Sequence, residues 1–322
     1  MTLRTLARRA PATGAALGLL AATAACGGGE DTAGAGEGGG VTVQAAEYTW
    51  TAAALTNAVL QDVVEANPEL GVAEIETTQL DPAAAWTGAQ RGDIDLITEV
   101  ALPNQGDLAA EAEGMEIVSE TYGGAEQGWF VPSYVVEPGG PAEGLTSVEQ
   151  LPEYAEVFDS TLYDADPGWV TTEQNRARLA GYGLDDWEHV VGGEAAELAQ
   201  VERSVAREEP ILAYLYRPHA IHAQYDLTLL EESTPYEEGC FAEGGDGACA
   251  MPAYSANIAA STDLAEEAPQ FVAMLEEFAI PLEEMEEMQA AVEVEGLDVE
   301  EVAAEWVEGH QEEISSWIPA GS

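Results

Sequence analysis

The residues of this chain best suited to acting on a ligand are aromatic. Tyr48, Trp50, Trp129, Trp169 and Tyr216 stand at strand ends or turns rather than on the faces of amphipathic helices. Ligands of open α/β sheets sit at the carboxyl ends of the strands. Rings converging there suit a diffuse positive charge without hydrogen-bond donors, because each ring quadrupole attracts a cation by about 0.5–2 kcal/mol. A quaternary ammonium group has that character. Taken singly, each ring reads equally well as filling for a core or a lobe interface; the constellation is what points to a site. His219, after Pro218, is placed to donate a hydrogen bond to a ligand carboxylate. His219-x-x-His222 also reads as half of a metal site, but the chain has four histidines and no cysteine nearby to complete one.

Covalent or acid–base chemistry finds less support. The sequence contains no GxSxG, no HExxH and no lysine for a Schiff base. Asp164, Asp166, Asp185 and Asp186 lie among 61 acidic residues, so choosing an acid and a base from them is arbitrary. We expect a binding protein with no catalytic residues, no metal and no cofactor.

The elements that must position these residues alternate between strand and helix. VTVQAAEYTW from Val41 reads as a strand, TAAALTNAVLQDVVEANPEL as a helix with Leu55, Val59, Leu60, Val63 and Val64 inward, and VAEIETTQL as a second strand. DPAAAWTGAQRG starts a helix at Asp81 with Pro82 in its first position, and DIDLITEVALP is a third strand. Such alternation predicts a parallel sheet covered by helices. EQGWFVPSYVV, with Pro132 inside it, reads as an edge or crossing strand leading to a second lobe. There, Tyr163–Asp226 forms a strand-helix-helix-strand unit whose aromatic ends line one side of a cleft, and Thr171 with Gln174 has the spacing of a capping box. After Ser255 the periodicity predicts two long amphipathic helices. One buries Leu264, Phe271, Leu275 and Phe278, the other Val302, Trp306, His310 and Trp317, so that Trp306 and Trp317 are structural.

Charge limits the partners. Against 61 Asp and Glu stand nine basic residues, all arginine. Arg4, Arg8 and Arg9 precede Cys26, where no acid occurs, which leaves six arginines facing every acid of the rest. Nucleic acid is excluded, because neutralising phosphates needs a basic stripe. With 46% hydrophobic residues the chain still has the means to fold. A surface of this acidity repels itself in dilute buffer and is relieved by salt, which fits a salt-rich habitat.

Residues 1–26 have the layout of an export signal: arginines, a short Ala/Leu run from Ala12 to Ala25, and small residues before Cys26. Thr23-Ala24-Ala25-Cys26 resembles a bacterial lipobox, in which the cysteine is lipidated; the other reading is an ordinary signal with an incidental cysteine. The glycine-rich 27–40 is a tether, and its glycine spacing makes no nucleotide site, since no strand precedes it and no lysine follows. Cys240 and Cys249 remain as a pair, read as a disulfide in an exported protein, with a metal or redox site as the alternative.

DPGWVTTEQNRARLAGYGL, EEPILAYLYRPHAIHAQYDLTLLE, GCFAEGGDGACAMP, APQFVAMLEEFAIPLEEMEEM and AAEWVEGHQEEISSWIP resemble, in order, the substrate-binding proteins of glycine betaine/choline (quaternary ammonium) ABC importers, the OpuAC-like/ProX-like group. The resemblance covers essentially everything after the tether. It implies a two-lobed, type II periplasmic-binding-protein fold, each lobe a mixed sheet flanked by helices, with the ligand in the interlobe cleft and closure by a hinge. Residues 41–131 with 253–322 would form one lobe and 132–252 the other. The ligand-binding set it implies is Trp50, Trp129, Trp169, Tyr216 and His219, to which Tyr48 is added from its place at a strand end. Tyr216 replaces the tryptophan of the family's W-x-P-H motif. Ala101 stands in EVALP where the family commonly has a ring, and Thr51-Ala52 after Trp50 lacks the acid of some choline-preferring members. The implied function is capture of glycine betaine or a related compatible solute for an ABC permease and ATPase, in osmoprotection, by a protein lipid-anchored on the extracytoplasmic face of the cell membrane. Alternatives are a sensor that presents the solute to a signalling partner, or a binder of choline, carnitine or a bulkier cation.

Overall fold

The computed structural model describes residues 40–242 and 244–320. Ten strands are present among them: β1 Val41–Glu47, β2 Val72–Gln79, β3 Leu96–Leu102, β4 Met115–Ala125, β5 Gln127–Pro132, β6 Thr161–Asp164, β7 Glu188–Val191, β8 Ala213–Tyr216, β9 Leu227–Leu229 and β10 Tyr254–Ser261. They form two five-stranded sheets, ordered β2-β1-β3-β10-β4 and β7-β6-β8-β5-β9. In the first, β1 runs parallel to β2 and β3, while β10 is antiparallel to β3 and β4. In the second, β6 is parallel to β7 and β8, while β5 is antiparallel to β8 and β9. The result is the two-lobed α/β architecture expected, with each sheet mixed.

Alternation along the strands gives every sheet two buried faces. Val43 and Ala45 of β1 join one cluster with the helix Thr51–Ala66, and Ala46 joins another with the helix Pro82–Ala89. In the second sheet, Trp129 and Tyr214 face one cluster and Phe130, Ala213 and Leu215 the other. Trp50 borders three of these clusters and Tyr216 two, so both stand where the lobes meet.

Several expected elements differ. The segment around Pro132 is no edge: β5 lies between β8 and β9, and Pro132 is tolerated because it ends the strand. Since β5 belongs to the second sheet, the chain crosses at Glu126, ahead of the boundary expected at 131/132. Ahead of the two expected C-terminal helices, Tyr254–Ser261 adds an interior strand, β10, that the periodicity did not indicate. The first helix expected after it splits into Thr262–Glu267 and Pro269–Leu275, since Pro269 has no N–H to continue the ladder and Ala268 leaves helical geometry. The last splits at His310 into Val299–Gly309 and Gln311–Trp317. Trp306 and Trp317 are buried in the core of the first lobe, as expected.

Candidate functional site

A cavity open to solvent lies between the two sheets. Trp50, Glu99, Ala101, Asn104 and Tyr254 line it from the first lobe; Gln127, Trp169, Thr171, Tyr214 and Tyr216 line it from the second. Of the first-lobe residues, Trp50 and Asn104 lie outside the strands, Tyr254 opens β10, and Ala101 and Glu99 lie on β3, Glu99 at its centre; Tyr216 closes β8. Trp169 is the N-cap of the helix Val170–Gly181, whose first turn meets the cavity through Val170 and Thr171.

Five of the six expected ligand residues form a continuous chain of rings. Tyr48 lies 4.5 Å from Trp50, Trp50 5.2 Å from Trp169, Trp169 5.8 Å from Tyr216, and Tyr216 5.4 Å from His219, centroid to centroid. Trp50 and Trp169 meet at 86° across the lobes, and Trp169 and Tyr216 at 69°. Planes at such angles make a corner, the arrangement in which several ring faces address one centre. Trp50, Trp169 and Tyr216 line the cavity; Tyr48 stands behind Trp50, its hydroxyl donating to Gln105 Oε1 at 2.9 Å.

Trp129 does not reach the cavity. The alternation of β5 turns it into the core of the second lobe, where it is fully buried and its Nε1–H donates to Asn175 Oδ1 at 2.8 Å. The cation over its ring is the protein's own: the guanidinium carbon of Arg178 lies 4.2 Å from the ring centroid. Arg178 also donates to Asn175 Oδ1 and to Glu232 Oε1, each at 2.8 Å, and Asn175 Nδ2 donates to Asp164 Oδ2 at 3.0 Å. This buried network fixes the helix that carries Trp169 to the cavity.

His219 serves differently from the expectation. Its Nδ1 accepts the Ile221 N–H at 3.0 Å, so the neutral ring carries its hydrogen on Nε2. Nε2 faces Glu194 Oε1 at 3.6 Å, on the far side of Tyr216, rather than the cavity. Burial lowers the His219 pKa to about 4, keeping it neutral. Tyr216 donates its hydroxyl to Glu194, whose own pKa burial raises to about 7. The expected capping box is also absent: Thr172 Oγ1 donates to Asp166 O at 2.7 Å, whereas Thr171 Oγ1 and Trp169 Nε1 are buried without hydrogen-bond partners. A capping box does form elsewhere, between Ser147 and Gln150.

The structure adds residues that the ring pattern did not single out. Tyr254 and Tyr214 supply rings where Ala101 supplies none, and Tyr254 lies two residues before Ala256, the cross-strand partner of Ala101. Asn104, Gln127 and Tyr214 are joined by bonds of 2.9–3.1 Å. Glu99, buried on β3, accepts from Tyr122 Oη at 2.8 Å and from Trp50 Nε1 and Thr56 Oγ1 at 3.4 Å. Burial raises its pKa to about 7, opposed by these three donors. An acid within the mostly apolar LITEVAL strand was the available signal, since acids are rarely buried without a reason. Among the described residues, no group of three or more His, Cys, Asp or Glu is placed to hold a metal ion.

Cys240 and Cys249 are bonded, with Cα atoms 6.7 Å apart. Their loop lies against the helix Val170–Gly181: a Cβ on Gly181 would fall 2.4 Å from Asp246 O, and one on Gly247 2.3 Å from Ala177 O. Cys26 and residues 27–39 lie outside the described residues, and no helix among those described is long and apolar enough to cross a membrane.

Residues 41–309 match the family model of the substrate-binding domain of the ABC-type glycine betaine transport system, OpuAC. The chain belongs to this family. Among solved structures, it is similar to lactococcal OpuAC in its closed, liganded form with glycine betaine, with 22% identity over 86% of this chain and 99% of that one and a TM-score of 0.71. It is likewise similar to an ABC-transporter choline-binding protein in complex with choline, with 21% identity, coverage of 86% and 91%, and a TM-score of 0.71. The glycine betaine/L-proline-binding protein ProX from Borrelia burgdorferi gives 21% identity, coverage of 86% and 97%, and a TM-score of 0.73. At such identities the likeness shows the shared fold. The family is one of solute-binding proteins that serve ABC transporters.

Proposed function

We propose that this protein captures glycine betaine or a related quaternary ammonium solute outside the cytoplasm and delivers it to a membrane permease and ATPase, with Cys26 as its lipid anchor. The reading is supported above all by the corner of Trp50, Trp169 and Tyr216 at the interlobe cavity. Ring faces attract a methylated ammonium, which has no N–H to satisfy and desolvates readily. Trp169 Nε1 and Thr171 Oγ1, unpartnered at the first turn of the helix Val170–Gly181, suit the carboxylate or hydroxyl at the other end of such a solute. The cavity offers rings, amides, hydroxyls and one carboxylate, a set for holding a ligand rather than transforming it. We assign the site to Trp50, Trp169 and Tyr216, with Tyr48 behind Trp50 and His219 and Glu194 supporting Tyr216.

Calorimetric titration of the purified protein with glycine betaine, choline, carnitine and proline betaine tests this reading. Saturable one-to-one binding of at least one is expected. Absence of saturation with all four would overturn it. Mass spectrometry of protein extracted from membranes tests the anchor: a diacylglyceryl mass on Cys26 supports it, and an unmodified or absent cysteine contradicts it.

A further inference from the structure

Glu99 is a carboxylate with no cationic partner, set into the wall of a cavity lined with rings. Three neutral donors hold it from three directions: the Trp50 indole ahead of the helix Thr51–Ala66, Thr56 on that helix, and Tyr122 on β4. The other ionisable groups facing it are the hydroxyls of Tyr48 after β1 and Tyr254 on β10. Burial keeps these tyrosines neutral at ordinary pH, since it moves each well above its usual value. None of the six arginines after Cys26 is paired with Glu99 in the structure. An acid kept in the core of a strand without a counter-charge is costly to ionise, so it holds its proton more tightly unless something cationic comes to it.

We propose that Glu99 is the counter-ion of the bound ammonium, and that capture of the cation is coupled to release of the Glu99 proton. The inference rests on the quaternary ammonium reading of the same cavity and extends it: the site selects positive charge as well as shape. Rings alone retain much of their attraction for an uncharged tert-butyl group through dispersion and burial. An ionised carboxylate beside them retains none of its Coulombic attraction for such a group. With its pKa raised to about 7, Glu99 carries a proton in about half of the free molecules near neutral pH, and the arriving cation displaces it to solvent. Binding of the cation therefore tightens as pH rises through neutrality, with a limit of tenfold per pH unit while deprotonation must accompany binding.

The test uses the whole processed protein with choline, glycine betaine and 3,3-dimethylbutan-1-ol, the uncharged carbon isostere of choline. Calorimetry at pH 6, 7 and 8 in two buffers of different ionisation enthalpy reads the protons released. Net release at pH 7 with choline and betaine, none with the isostere, and affinity for choline about tenfold higher at pH 8 than at pH 6 are expected. In Glu99→Gln, release should vanish, and the preference for choline over its isostere should shrink by about tenfold or more. Saturable binding without proton release in the unaltered protein would overturn the coupling and leave the ammonium site standing. Release that persists in Glu99→Gln would assign the proton to another acid, with Glu194 behind Tyr216 the next to replace. Failure of every ligand to bind would overturn both readings together.

Discussion

At the scale of single residues, ring identity did not decide ring role; strand parity did. Trp129 and Trp169 look alike in sequence, each beside a glycine, yet β5 directs Trp129 inward to Arg178 and Asn175, while Trp169 caps a helix facing the cavity. Trp169→Ala and Tyr216→Ala should each weaken ligand binding by about 1–2 kcal/mol, measured by titration. Trp129→Ala should instead lower unfolding stability by about 3–5 kcal/mol, measured by denaturant, since it removes a packed core ring and strands Arg178. Glu194 makes a prediction in pH. Its folded pKa is raised to about 7 from 4.5, so the stability linked to its proton is full below pH 4.5 and lost as pH rises through 7. Glu194→Gln keeps an acceptor for Tyr216 and removes that loss. The variant should gain about 2–3 kcal/mol relative to the native protein at pH 8 compared with pH 4.5, read from chemical unfolding at each pH. His219 acts in the opposite sense, lowered to about 4, so its contribution is lost as pH falls from 6.5 toward 4.

At the scale of elements, the βα alternation of the first lobe was legible because its apolar periodicity and the Asp81-Pro82 start are strong local signals, and Asp81 does cap by accepting from Ala84 N. β10 was not legible: YSANIAAS is rich in small residues and has no clear alternation, and only its place between β3 and β4 makes it a strand. The same tertiary dependence hid Glu99, whose neighbours come from the helix Thr51–Ala66 and from β4. The Cys240–Cys249 loop bears on the site through the helix that presents Trp169. Because a Cβ at Gly181 would collide with the backbone of this loop, Gly181→Ala should cost about 1–3 kcal/mol of stability, seen as a lower thermal midpoint. Gly247 is doubly constrained, by the approach to Ala177 and by φ +70°, so Gly247→Ala should cost more.

At the scale of the whole molecule, charge and fold answer different questions. The acidity excluded nucleic acid without indicating the architecture, which came from the order of the elements and the family resemblance. Six arginines against 61 acids after residue 26 leave self-repulsion as a general term in stability. The thermal midpoint should therefore rise with added salt, by about 2–4 °C for each kcal/mol of repulsion relieved. A midpoint unmoved between low and high salt would contradict this. The two lobes meet at Trp50 and Tyr216, and Arg217, directly after β8, reaches Glu286 of the helix Leu282–Glu293 at 3.4 Å. Tyr216, which lines the cavity, and Arg217, which makes this lobe contact, are thus neighbours at one strand end. The most direct measurement is a crystal structure of the protein with choline or glycine betaine. The quaternary nitrogen is expected within about 6 Å of the ring centroids of Trp50, Trp169 and Tyr216. A ligand bound away from this corner, or an ordered complex in which the nitrogen contacts none of the three rings, would contradict it.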